Sequence, residues 1–148
     1  MIIFGDKTTA LFDLWSLEHF FTGCNCALLS GFLVNKFFKV SDKITIFRLQ
    51  LLVLLCLELY WEILEYYLED GASFVAVTYW FQGVEYIYNR LITDPIITVL
   101  GLVVIKYFPK IKWVSVPFSL VWLYFHLFYF NHCMGFQDLI FGNWQWKI

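Results

Sequence analysis

Residues 44–68, ITIFRLQLLVLLCLELYWEILEYYL, constrain this chain more than any other stretch. A helix rises 1.5 Å per residue, and about 20 mostly apolar residues cross the hydrocarbon of a bilayer. The segment is long enough and apolar enough to do so, yet it runs into acids. Glu58, Glu62, Glu65 and Glu69 follow at steps of four, three and four, which places them on one helical face. On insertion scales an ionisable side chain at mid-span costs about 2.5–3.5 kcal/mol. A span carrying such a row must turn it toward other helices.

The rest of the chain fits that demand. It is 61% hydrophobic, 22% aromatic and 15% charged, whereas soluble domains are nearer half apolar and a quarter charged. Its 148 residues make one domain, 1–148, with too little interior to hide this much apolar surface from water. The net charge of -2 supplies no basic footprint, so nucleic acid is not an expected partner. The fold class expected is an all-α membrane protein with four transmembrane helices plus one interfacial or re-entrant helix. The spans fall at about 15–37, 44–68, 91–108 and 113–134. The segment 72–89, ASFVAVTYWFQGVEYIYN, is apolar but carries Gln82, Gly83 and Glu85. Its aromatic content favours the interface over a fifth span. The tail FQDLIFGNWQWKI reads as a short amphipathic segment with tryptophans at headgroup level. The start, MIIFGDKTTALFDLW, lacks a signal peptide's basic region and cleavage site, so the first span is expected to be retained.

Basic residues set the orientation. Lys36, Lys39, Lys43 and Arg48 lie around the first inter-span loop, and Lys106, Lys110 and Lys112 around the third; Lys7, Arg90 and Lys147 remain for the other side. Positive residues favour the cytoplasm. The chain is therefore expected in the cell membrane, multi-pass, with both termini outside. Every acid except Asp42 falls on the outer side or in the nearest half of a span, and so do His19, His126 and His132. Cys24, Cys26, Cys56 and Cys133 all lie in apolar stretches without zinc spacing and read as buried thiols.

A polar core of His19, Glu62, Glu65, Arg90, Asp94 and His126 follows from this depth map. Glu58 is roughly 15 Å below Leu68, the deepest of the row, while Glu69 and Asp70 are expected at the water-facing helix end. Arg90 and Asp94, four apart, can pair with each other. Carboxylates and imidazoles are metal-ligand types, but the chain has Glu62-x-x-Glu65 where a di-metal bundle uses Glu-x-x-His. No HxxxH box is present either. No metal or other cofactor is expected, a divalent ion being the alternative. Acid–base chemistry would use Glu62 beside a histidine. There is no nucleophile elbow or phosphate loop.

Three stretches carry a resemblance: DLWSLEHFFTG (13–23), WEILEYYLED (61–70) and NRLITDPIITVLG (89–101). Together they resemble the VanZ-like family of small polytopic membrane proteins and their uncharacterised relatives. Asp13, His19 and Gly23 match the first element, Trp61, Glu62 and Glu65 the second, and Asn89, Asp94 and Gly101 the third. DPIIT stands where that pattern has a doubled aspartate or an Asp-Thr run, and His126 and His132 belong to no element of it. The resemblance implies an envelope role and supplies no reaction.

The expected function is to bind, and in an enzymatic version to modify, a lipid or lipid-linked envelope ligand through an acidic/His cluster near the outer leaflet. Glu62 and Glu65 would be bases or acceptors, and His19 and His126 proton carriers. Arg90 would meet a phosphate or hold Asp94; Asn89, Asp13 and Trp61 would complete the binding set. The alternatives are a small proton- or cation-linked transporter and a structural subunit of a membrane complex. Membrane lipids are the expected partners, with a homo-oligomer or a larger membrane complex open.

Overall fold

The computed structural model describes residues 2–38, 42–70, 74, 75, 77, 81 and 83–128, together with the backbone of 146–147. Residues 72, 73, 76, 78–80 and 82 of the 72–89 segment, the tail apart from the backbone of 146–147, His132 and Cys133 lie outside the described residues.

Four helices dominate the described residues. Helix α1 spans Leu14–Phe38 and α2 spans Lys43–Glu69, each within two residues of its expected span. Asp13 starts α1: its Oδ1 accepts from Ser16 N at 3.0 Å, and Ser16 Oγ accepts from Asp13 N at 3.3 Å, a reciprocal cap. Asp42 starts α2 by accepting from the backbone N and hydroxyl of Thr45 at 2.8 and 2.6 Å. Those bonds hold its carboxyl below the usual range. A five-residue π turn, Asn89–Thr93, leads into α3, Asp94–Tyr107, with Pro95 in the first turn, where no N–H partner is lost. Phe108 ends α3, Pro109–Ile111 form a 3₁₀ turn, and α4 runs from Lys112 to Phe128. Among the described residues, three helices are long and apolar enough to cross a membrane: α1, α2 and the Pro109–Phe128 stretch. The α-helical part of the expected third span is 14 residues, short of a bilayer unless the π turn extends it.

Cross-helix contacts give the directions. His19 faces Glu58 and Ala27 O meets Gln50, so α1 and α2 are antiparallel. His19 O accepts from Thr98 and Gly101 O from Cys24, so α1 and α3 are parallel. Asn25 bonds Ser115 O and Ser119 Oγ at 3.2 and 2.8 Å, and Ser115 Oγ bonds Asn25 Oδ1 at 2.9 Å. With this polar clasp at Asn25 and Glu18 accepting from Trp122 Nε1 further along, α4 runs antiparallel to α1.

The α1–α3 contact is the closest in the bundle, and two glycines allow it. A Cβ on Gly23 would lie 2.1 Å from Thr98 O, and one on Gly101 would lie 2.3 Å from Phe20 O. Only a hydrogen fits at either point. Around this crossing Cys24, Ala27, Leu54, Leu102 and Ile105 form one apolar core, while Trp15, Phe81 and Trp122 form another toward the other end.

The packing is inside-out by the standard of a water-soluble protein. The buried residues of α2 are Leu54, Glu58, Glu62, Glu65 and Glu69. Its outer face shows Leu52, Leu59, Tyr60, Ile63 (71% exposed) and Tyr67. Apolar surface on this scale is stable where the surroundings are apolar too.

The all-α expectation needs one amendment. Strand β1 (Ile2–Phe4) lies between β2 (Ala10–Phe12), parallel to it, and β3 (Trp146–Lys147), antiparallel to it. Strands of two or three residues are too short for a period-two pattern to register. An Asp6 turn, with Asp6 Oδ1 accepting from Thr8 N at 2.8 Å, brings Lys7 inward.

Candidate functional site

The glutamate row of α2 is buried throughout, and three other elements converge on it. Helix α1 contributes His19, the π turn contributes Asn89 and Arg90, and α3 contributes Asp94. Glu85 and Lys7 arrive from the segments beside them. The Gly23–Gly101 crossing sets the geometry, since it holds His19, one turn before Gly23, against Asp94.

His19 is the hub. Its Nδ1 shares a hydrogen bond of 2.9 Å with Glu58 Oε1 and lies 3.8 Å from Glu62 Oε1, while its Nε2 lies 3.7 Å from Asp94 Oδ2. A second focus is Glu69, which is fully buried. Its Oε1 accepts from Lys7 Nζ at 2.5 Å, and its Oε2 accepts from Glu85 N at 2.9 Å and from Arg90 Nη2. This corrects the expectation of a water-facing Glu69. The N-terminal segment folds over the helix end and brings Lys7, itself fully buried, 3.7 Å above the Trp15 ring. Of the two acids at this helix end, Asp70 remains exposed.

Arg90 also departs from expectation. It pairs with Glu69, with Glu62 Oε2 at 3.3 Å and with Glu85 Oε2 at 3.7 Å; no pair with Asp94 is present among the described residues. Acids on a facing helix outcompete the i, i+4 neighbour. At 3% exposure Arg90 is committed inside the cluster and does not present itself to a phosphate from outside. Asn89, fully buried, donates to Glu85 Oε1 at 2.8 Å and to Asp13 Oδ2 at 3.4 Å. Burial, with the Asp94 carboxylate nearby, pushes Asp13 up to about 7. Burial, then Asp94 and Asp13, push Glu85 far above the carboxylate range.

The cluster is short of positive charge. Seven carboxyl groups are buried in it: Asp13, Glu58, Glu62, Glu65, Glu69, Glu85 and Asp94. They face two permanent cations, Lys7 and Arg90, and one imidazole, His19. Both carboxylate oxygens of Glu62, Glu65 and Asp94 lack a hydrogen-bond partner among the described residues. Glu62 and Asp94 have the longer contacts to Arg90 and His19, but a buried carboxyl group without a hydrogen bond is costly.

A cavity of about 330 Å³ adjoins the cluster. Its walls are Trp15, Leu54, Leu57, Tyr60 and Trp61, and Glu18, His19, Glu58 and His126 supply its polar side. Glu18 accepts from Trp122 Nε1 at 2.5 Å. His126 lies edge-on to Trp15 and Phe81, with ring centroids 5.8 and 6.1 Å away. It borders the cavity together with Glu18, His19 and Glu58.

Of the residues expected at the site, His19, Glu62, Glu65, Asn89, Arg90, Asp94 and Asp13 come together, while Trp61 and His126 border the adjoining cavity. Sequence reasoning missed Lys7, Asn25 and the buried role of Glu85. Lys7 carried one signal: it is the only basic residue before Lys36. No protein-family model, no curated protein and no solved structure matches this chain.

Proposed function

We propose that this is a multi-pass membrane protein that takes a lipid or lipid-linked molecule, headgroup first, into the cavity between α1 and α2. The observation that carries the proposal is the cavity's division into an apolar and a polar part. Leu57, Tyr60 and Trp61 belong both to its wall and to the outward face of α2, at 48%, 67% and 37% exposure. A molecule lying against that face in the bilayer can enter sideways, while the His19–Glu58 pair and Glu18 meet its polar end. A volume of this size lies at the small end of ligand sites and suits a headgroup with a few carbons, the remaining chain staying outside along α2. In an enzymatic version the His19–Glu58 pair exchanges a proton with the headgroup.

The positive-inside rule puts the cluster in the outer leaflet and both termini outside, which supports an envelope ligand. The VanZ-like resemblance agrees, because its matched residues Asp13, His19, Glu62, Glu65, Asn89 and Asp94 meet at one place. A carrier would call for a second polar layer deeper in the bundle. Among the described residues, the half beyond Gly23 buries Ser30 and Ser115 and no charged side chain, which favours a one-sided binding site.

The test is photolabelling in bilayer nanodiscs with a phospholipid whose reactive group sits near the headgroup. Label should concentrate on the stretch around Leu57 and Trp61 and fall when Leu57→Trp fills the opening. Uniform labelling along α2, as strong at Leu52 as at Leu57, would count against the proposal, as would undiminished labelling of Leu57→Trp.

A further inference from the structure

We propose that Glu62 is the shared ligand of a divalent-cation site, with His19 and Glu58 on one side of it and Glu85 and Asp94 on the other. The ligand is a hard cation that accepts oxygen donors with one imidazole nitrogen, of the manganese or magnesium class.

The geometry carries this first. His19, Glu58 and Glu62 form one group, and Glu62, Glu85 and Asp94 another, in which one ligand atom from each residue lies within 4.8 Å of the others. An ion held at about 2.1 Å keeps neighbouring ligand atoms roughly 3–4 Å apart. The separations of 2.9 Å (His19–Glu58) and 3.8 Å (His19–Glu62) already match that spacing. Arg90 Nε, 3.3 Å from Glu62 Oε2, fixes the carboxylate between the two groups. The donor set is four carboxylates and one imidazole, the preference of manganese and magnesium over zinc or copper.

The second observation is independent of the spacing. Glu62 and Asp94 are at least nine-tenths buried, and all four of their carboxylate oxygens lack a hydrogen-bond partner among the described residues. They belong to a cluster whose seven acids outnumber its two permanent cations. A dication would supply partners to these oxygens in one step. The absence of Glu-x-x-His from the sequence does not weigh against it, because the histidine comes from α1 and the shared glutamate from α2.

This inference does not depend on lipid binding, although the cavity reaches two of the same ligands. The test uses full-length protein in detergent, stripped with a chelator, then titrated with Mn2+. Free Mn2+ is read by its electron paramagnetic resonance signal, and bound metal by elemental analysis after desalting. The wild-type protein should retain Mn2+ saturably and unfold at a higher temperature with it. Glu62→Gln and Asp94→Asn should each weaken retention by at least about 10-fold, while Asp42→Asn, at the exposed start of α2, should retain it unchanged. Failure of the wild type to retain Mn2+ or Mg2+ overturns the proposal whatever the variants do. So does retention by a folded Asp94→Asn or Glu62→Gln equal to wild type, or retention of Zn2+ alone. Should Glu62→Gln not fold, Asp94→Asn still decides. Leu57→Trp alters the cavity mouth without removing a ligand, so loss of lipid labelling with intact Mn2+ retention identifies failure of the lipid proposal alone.

Discussion

Replacing Gly23 with alanine should destabilise the bundle, although alanine is the better helix former. Alanine gains about 1 kcal/mol in an α-helix over glycine. Against this, the new Cβ would stand 2.1 Å from Thr98 O and 2.8 Å from Thr98 C. Both are backbone atoms within a helix and cannot rotate away. Ordinary contact begins at 3.4 Å, so α1 and α3 must part by more than an ångström at the point where Cys24, Ala27, Leu102 and Ile105 pack. Overpacking costs about 1–3 kcal/mol where side chains can adjust, and more where they cannot. The net loss should be at least about 2 kcal/mol. The assay is reversible unfolding in mixed micelles at increasing SDS, followed by tryptophan fluorescence. Gly31→Ala is the internal control: among the described residues its Cβ would meet the Gln50 side-chain amide, at 2.7 Å, the far end of a flexible side chain that can swing aside. That variant should stay within about 1 kcal/mol of wild type, helix propensity included. If Gly23→Ala proved as stable as Gly31→Ala, the close crossing would not be what holds His19 against Asp94.

Lys7→Met should leave Glu69 with Arg90 as its only charged partner. The loss of about 3 kcal/mol expected on breaking a buried pair should show as faster proteolysis before Leu14. Unchanged cleavage would mean that Lys7 does not hold the N-terminal segment down. Asn25→Ala removes three bonds to Ser115 and Ser119 and should cost about 1 kcal/mol, the scale of interhelical hydrogen bonds in membranes, in the same SDS assay; a neutral result would remove the clasp from the account. Asp13 predicts a pH effect. Its folded carboxyl is pushed up to about 7, whereas the unfolded chain loses that proton near pH 4. The folded state thus binds the extra proton between these values, and stability contributed by this group falls as pH rises from about 4 to about 7, then levels off. Asp13→Asn keeps a cap for Ser16 N and should flatten that slope in chelator-treated protein; equal slopes would refute the assignment.

The long spans were legible because twenty apolar residues admit few alternatives, and the glutamate row because a period near 3.6 is a local property. Glu58, Glu62, Glu65 and Glu69 are all buried, as that period demands. What stayed hidden was long-range. Nothing near Glu69 in the sequence announces Lys7, 62 positions earlier, so a helix end that reads as solvated is in fact covered. The Arg90–Asp94 pairing failed for a related reason: a local i, i+4 rule cannot see Glu69 and Glu62 approaching from α2. The cavity was illegible too, because Tyr60 and Trp61 look the same in sequence whether they border a void or face outward.

The small sheet carries a consequence for topology. Ile2 pairs with Lys147 across β1 and β3, which fastens the two ends of the described chain to each other. Two backbone segments joined by such a ladder occupy one aqueous compartment. The path between them must then cross any enclosing bilayer an even number of times, whatever the course of the residues outside the described segments. Reporters attached beside Ile2 and beside Lys147 should be reached together by an impermeant reagent, or shielded together.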